Sequence, residues 1–138
     1  AQVADQRLED ALVGEVVGVG VDLCEVDRMR RTLERTAGFV DRVFTAGEQE
    51  YCQTAKDPAE RFAVRYAAKE AVLKAVGAGL GACRMRDIEV VRATSGAPAV
   101  VLHDTAAVLA AEHGVARWHV SLTHTATMAE AVVIAVGG

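Results

Sequence analysis

Aromatic side chains are scarce in this chain of 138 residues, at 4% Phe, Trp and Tyr. A platform that stacks the bases of single-stranded nucleic acid is therefore not expected. Positive charge is not in excess either. The formal net charge is −4, so basic residues act only locally and broad nucleic-acid affinity is not expected. No apolar run approaches the roughly 20 residues that span a bilayer, so no membrane partner is expected. The segment from Ala1 to Glu15 lacks the basic-then-apolar order of a secretion signal. Cys24, Cys52 and Cys83 are the only cysteines. An odd number without metal-ligand spacing argues against zinc and for free thiols in a reducing, cytoplasmic setting. Low-complexity segments and internal repeats are absent. The first residue is Ala rather than Met, as expected after processing or excision from a longer polypeptide.

What is present suits one globular domain with a real core: 51% hydrophobic and 25% charged residues. Val16 to Leu23 is an apolar, β-branched run and predicts a buried strand. Gly18 and Gly20 alternate within it and allow another backbone or a ligand to come close. Glu25 to Arg35 predicts a helix with Val26, Met29 and Leu33 inside and Arg28, Arg31 and Arg35 as an outer basic stripe. Thr45 and Glu48 have capping-box spacing for a second helix. Asp57-Pro58 opens a long one, and Gly77, Gly79 and Gly81 break it. Ile88 to Arg92 and Ala99 to Leu102 read as strands joined at Ser95-Gly96. Asp104 is the expected cap of a helix over Thr105 to His113. Trp118 to Thr123 and Ala129 to Val136 read as the last strands. Strands and helices do not alternate one by one, so the expected class is α+β.

Arg65 to Ala75 carries the densest chemistry. Ala, Leu, Lys and Glu dominate it, and neither Gly nor Pro interrupts it. Phe62, Tyr66 and Leu73 form its core stripe, with Glu70 at the edge beside Ala63 and Ala67 and Lys74 one turn further on. Such a carboxylate can point into a cavity. Glu70 followed by Lys74 is equally the favourable i,i+4 salt-bridge order of an exposed helix. Arg65 and Lys69 lie on the other flank, and their repulsion would be relieved by an anion. Asp22 ends the glycine-rich strand, where chains leave the core and where sites also occur. Asp22 and Glu70 together suit Mg²⁺, which takes one or two carboxylates plus substrate phosphates. The glycines from Gly77 onward follow a helix rather than precede one, so they form no dinucleotide fingerprint. They are a helix stop whose amides can hold a phosphate. Ser121, Thr123, His124 and Thr125 end a strand. No elbow motif surrounds Ser121, so phosphate or ribose binding fits better than a nucleophile. His103 and His113 read as structural or solvated, and His119 as half-buried.

Four blocks together resemble the short class of 4′-phosphopantetheinyl transferases, the holo-acyl-carrier-protein synthases. They are Gly18-Val19-Gly20-Val21-Asp22-Leu23-Cys24-Glu25-Val26; Phe44-Thr45 with Glu48; Arg65-Tyr66-Ala67-Ala68-Lys69-Glu70-Ala71 with Lys74-Ala75; and His119-Val120-Ser121-Leu122-Thr123-His124. The resemblance runs from about Gly14 to Val136, leaving residues 1–13 as an N-terminal extension before a transferase domain over 14–138. It implies the family's fold: a small antiparallel sheet packed with helices, one of them long and central. It also implies the reaction, transfer of the 4′-phosphopantetheine arm of coenzyme A to a serine of an apo acyl carrier protein, for fatty-acid or polyketide synthesis. By motif position, Asp22 and Glu70 would hold Mg²⁺, with Glu70 also the candidate base and Lys74 on phosphate. Arg65, Gly77, Thr123 and His124 would bind the nucleotide, His124 from a neighbouring subunit of a homotrimer. Arg28, Arg31 and Arg35 would dock the acidic carrier, rather than being only a solvated face. Tyr66 stands where the family has Phe or Trp, and Thr125 where some relatives have Asp. A Mg²⁺-dependent nucleotide phosphohydrolase and a non-catalytic trimerising domain of a larger synthase are the rival readings.

Overall fold

The computed structural model describes residues 14–138. The N-terminal extension expected over 1–13 lies outside the described residues. Strand β1 (Val16–Glu25) leads directly into α1 (Val26–Arg35), followed by α2 (Phe39–Val43), α3 (Ala46–Gln53) and the long α4 (Pro58–Ala75). A 3-10 turn over Met85–Asp87 precedes β2 (Ile88–Arg92) and β3 (Pro98–Leu102), then α5 (Asp104–Glu112), β4 (Val115–His124) and β5 (Met128–Gly137). One antiparallel sheet has the order β1-β5-β4, and β2 and β3 form a separate hairpin. The class is α+β, with α4 laid across the three-stranded sheet.

The two strand glycines set that packing. A Cβ on Gly20 would stand 1.9 Å from the Ala71 carbonyl oxygen, and one on Gly18 1.7 Å from that of Ala75. Glycine on the strand and alanine on the helix therefore let the two backbones touch. The period of two sends Gly18, Gly20, Asp22 and Cys24 toward α4 and Val17, Val19, Val21 and Leu23 to the opposite, open face.

The charged residue that the sequence left without a partner is in the core. Lys69 is 0% exposed and its ammonium lies 2.8 Å from Glu48, itself 1% exposed. Lys69 also donates to the Met85 and Ile88 carbonyls. Glu48 accepts from the backbone N–H of Thr45 at 3.0 Å, closing the capping box, and from that of Val90 at 3.0 Å. Lys69 is thus no part of a phosphate-facing edge. It ties α4 to α3 and β2.

Phe44 and Phe62 pack edge to face at 4.8 Å beneath α1. The end of α4 is a Schellman stop: Gly77, at φ +71°, donates to Lys74, and Ala78 to Leu73. Three expectations fail. β1 is not a buried strand: only its helix-facing side is covered, and Val19, Val21 and Leu23 are exposed. Asp104 does not cap α5. It sits at φ +37°, while Asp87 reaches across from the 3-10 turn and accepts from the Thr105 N–H at 3.1 Å. His119 is exposed because the inward positions of β4 fall on Trp118, Val120 and Leu122. No helix among the described residues is long and apolar enough to cross a membrane.

Candidate active site at the crossing of β1 and α4

The close approach of β1 and α4 brings Asp22, Glu70 and Lys74 together. Asp22, 9% exposed, leaves β1 two residues after Gly20 on the helix-facing side. Glu70 and Lys74 stand one turn apart on α4. Lys74 Nζ donates to Asp22 Oδ1 at 2.7 Å and to the Val21 carbonyl at 3.2 Å. The surface reading of a Glu70–Lys74 ion pair therefore fails: among the described residues the lysine's carboxylate partner is on the strand.

Glu70 has its pKa raised, first by burial and then by the negative charge of Asp22, while the Tyr66 hydroxyl and Lys74 pull it down. The two carboxylates are held close enough to repel, and Glu70 lines a cavity of about 470 Å³. A divalent cation relieves that repulsion, so the donor set fits Mg²⁺ in number and hardness. No third His, Cys, Asp or Glu joins them into a metal-binding group among the described residues. Water or substrate phosphate would have to complete the shell. Cys24 also lines the cavity. Its thiol is pushed up to about 11, mostly by burial and then by Glu70 and Asp22, so it is protonated at neutral pH.

The same cavity gathers residues from four other segments: Arg28 and Met29 from α1, Phe39 from α2, Met128 from β5 and Leu80 from the glycine loop. Arg28, Arg31 and Arg35 are all exposed on α1, whereas Arg30 is tied to Asp27 and Asp57. Gly77 lies beyond Lys74, at the Schellman stop from which the loop carries Leu80 to the cavity. Other candidates lie apart. Arg65 is 6% exposed, with its guanidinium 4.2 Å from the centre of the Tyr51 ring. Thr123 and His124 end β4, with β5 between them and β1. His124 lies about 10 Å across the sheet from Cys24, two strand spacings. Its imidazole is 3.6 Å from Glu60.

Tyr66, read from sequence as a core residue, is only partly buried and reaches Glu70 one turn away. Its hydroxyl is pushed up to about 12, first by burial and then by Glu70. The i,i+4 spacing was the available signal. Leu80 gave none, because a loop's path cannot be read from its glycines.

A family model described as the 4′-phosphopantetheinyl transferase superfamily matches residues 18–135. A holo-acyl-carrier-protein synthase of Frankia casuarinae is 48% identical over 120 residues, covering 87% of this chain and 97% of that protein. The acyl carrier protein synthase of Plasmodium yoelii with ADP bound superposes with a TM-score of 0.83 at 30% identity, covering 91% of this chain and 98% of that one. A holo-acyl-carrier-protein synthase from Bacillus anthracis in complex with CoA (3′,5′-ADP) does so at 0.74 and 30% identity, covering 89% and 98%.

Proposed function

The chain belongs to the 4′-phosphopantetheinyl transferase superfamily, and from that premise we propose that it acts as a holo-acyl-carrier-protein synthase. It moves the 4′-phosphopantetheine arm of coenzyme A to a serine of an apo acyl carrier protein and releases adenosine 3′,5′-bisphosphate. The observation that carries the reading is the convergence of Asp22, Glu70 and Lys74 where β1 and α4 touch.

Each residue has a task in that displacement. Asp22 and Glu70 would hold Mg²⁺, whose charge neutralises the pyrophosphate as the leaving phosphate departs. Lys74, exposed above Asp22, takes a phosphate oxygen. Glu70, which lines the cavity, would receive the proton of the attacking serine hydroxyl, directly or through a water. The serine's oxygen forms the new bond to phosphorus, and the bond from that phosphorus to the oxygen of the adenosine 5′-phosphate breaks. Because the nucleophile belongs to the carrier, no nucleophile is required of this chain. Arg28, at the cavity and in line with Arg31 and Arg35, gives an acidic carrier a basic track toward Glu70.

The assembly we propose is a homotrimer. Val19 is 57% exposed, Val21 46% and Leu23 58%, in one row on the open face of the sheet. Packing these faces together would bury the row and bring Thr123 and His124 of one subunit toward the nucleotide of the next, with Arg65 and Gly77 as the other nucleotide contacts. Sedimentation at three chain masses supports this; a monomer transferring at full rate contradicts it. Residues 14–138 form the transferase domain in this reading, working in the cytoplasm, where three free thiols stay reduced.

Incubation with apo carrier, CoA and Mg²⁺ tests the function. The carrier gains the mass of one phosphopantetheine arm. Release of nucleotide without carrier modification would favour a phosphohydrolase instead.

A further inference from the structure

Of the arginines on α1, one is turned away from the others. Around the helix, Arg28, Arg31 and Arg35 share the outer side, and Val26, Met29 and Leu33 share the inner side. Arg30 lies on the flank between them. The opposite flank carries Arg28, Met29 and Thr32 to the cavity beside Glu70. Arg30 is half-buried. Its Nη1 donates to Asp27 Oδ1 at 2.5 Å within the helix, and its Nη2 donates to Asp57 Oδ2 at 2.6 Å. Asp57 stands just before Pro58 at the start of α4. One guanidinium thus forks between α1 and the helix that carries Glu70 and Lys74.

The Asp57 carboxylate gives up a local role to make that contact. Asp at the position before a helix ordinarily accepts hydrogen bonds from the first turn. Asp57 holds that position in α4, yet its side chain makes no cap hydrogen bond. The carboxylate goes to Arg30 instead. Glu25, before α1, makes no side-chain cap either. What seats α1 is its apolar side, with Val26 and Met29 buried and Leu33 packed partly against them. Apolar burial is non-directional, so it sets the depth of a helix better than its rotation about its own axis. A charged fork with two fixed acceptors is directional and resists that rotation.

We propose that Arg30 is a positioning residue: through Asp57 it clamps the rotation of α1, so that Arg28, Arg31 and Arg35 meet an acidic carrier in fixed register with the cavity. The inference rests on the reading of that stripe as the carrier's dock. Asp22, Glu70 and Lys74 lie on β1 and α4, so the clamp governs how the carrier arrives rather than how the phosphorus is displaced. Simple charge predicts the reverse effect at Asp57. A carboxylate near a basic dock repels an acidic partner, so neutralising it would strengthen binding. A clamp makes the same change weaken binding, because Arg30 loses its anchor on α4.

The test compares native protein, Arg30→Gln, Asp57→Asn and the double variant. The probe is a purified acidic apo acyl carrier protein, with Kd read by fluorescence anisotropy and transfer by intact mass. Asn caps a helix about as well as Asp, so Asp57→Asn does not challenge the folding of α4; thermal melting checks this. Each single substitution should weaken carrier binding roughly threefold, within the range of a partly exposed ion pair. The double variant should bind no more weakly than either single one, because both changes break the same contact. KM for CoA should stay within a factor of about two while KM for the carrier rises. Tighter or native-like carrier binding by Asp57→Asn overturns the clamp, and so do additive losses in the double variant. Equal rises in both KM values mark a merely structural bridge and overturn it as well. Native protein that binds the carrier but transfers no arm overturns the transferase reading, and the Kd series still decides the clamp. Native protein that binds no acidic carrier overturns the dock and the clamp with it.

Discussion

Lys74 Nζ sits 2.7 Å from Asp22 Oδ1, a contact that joins the central helix to the first strand. That single bridge distinguishes this crossing from an ordinary surface helix. An i,i+4 partnership with Glu70 would have neutralised both groups on one exposed face. Instead the lysine reaches across to β1, and Glu70 is left half-buried near Asp22 with its pKa raised.

The strain on Glu70 predicts an unusual stability effect. A carboxyl whose folded pKa lies above its unfolded value binds its proton more tightly when folded. Its ionised form therefore costs stability at pH above the folded pKa, and the cost fades as pH falls through that value. Glu70→Gln removes the charge and keeps the shape. Without divalent cation at pH 7.5, it should melt at or above the native temperature. Adding Mg²⁺ should raise the native melting temperature and leave that of the variant unchanged. A variant that melts well below native protein without Mg²⁺ would contradict the repulsion.

Lys69 and Glu48 make the opposite case. Both are buried; Lys69 donates to the Met85 and Ile88 carbonyls, and Glu48 accepts from the Thr45 and Val90 N–H groups. Removing one partner leaves an uncompensated buried charge, costing about 3–5 kcal/mol. Lys69→Met and Glu48→Leu should each show that loss in urea unfolding. The double substitution should recover part of it. A loss below about 1 kcal/mol for either single change would contradict the buried pair.

These residues also mark how far the sequence was legible. The order of the five strands and of four of the five helices, the capping box at Thr45 and the close approach of a backbone to Gly18 and Gly20 follow from local pattern, whereas the short α2 over Phe39–Val43 was not read. Asp22, Glu70 and Lys74 were recognisable as a group from their blocks, but the direction of Lys74 was not, because one helix permits two partners. Lys69 was illegible for a different reason. Its position on the helix wheel placed it beside Arg65, and only the arrival of α3 and β2 turned that flank inward. Asp104 stood where a cap is normally found, yet Asp87, distant in sequence, took the role.

Gly20 should tolerate no side chain. Gly20→Ala would place a Cβ 1.9 Å from the Ala71 carbonyl oxygen, a backbone atom that cannot swing away. The expected cost is about 3 kcal/mol, near the top of the usual overpacking range, with loss of transfer as Asp22 and Glu70 are pushed apart. Gly79→Ala, whose new Cβ would meet nothing within 4 Å, should change thermal stability little. Equal melting temperatures for the two variants would contradict the close approach.

The basic stripe on α1 should act on the carrier alone. Arg31→Glu should raise KM for an acidic carrier roughly tenfold at low salt, with the difference shrinking as salt rises. KM for CoA should stay within a factor of about two, in keeping with an electrostatic contact confined to the carrier. Equal changes in both constants would mean that the stripe does not discriminate between the substrates.

The most direct measurement is arm transfer to an apo carrier, followed by intact mass, for native protein and for Glu70→Gln at matched Mg²⁺ and CoA. The account predicts complete conversion by native protein and a loss of at least roughly a hundredfold, or about 2.7 kcal/mol of transition-state stabilisation, in a variant that remains folded. Near-native conversion by folded Glu70→Gln would contradict the placement of the chemistry at the crossing of β1 and α4.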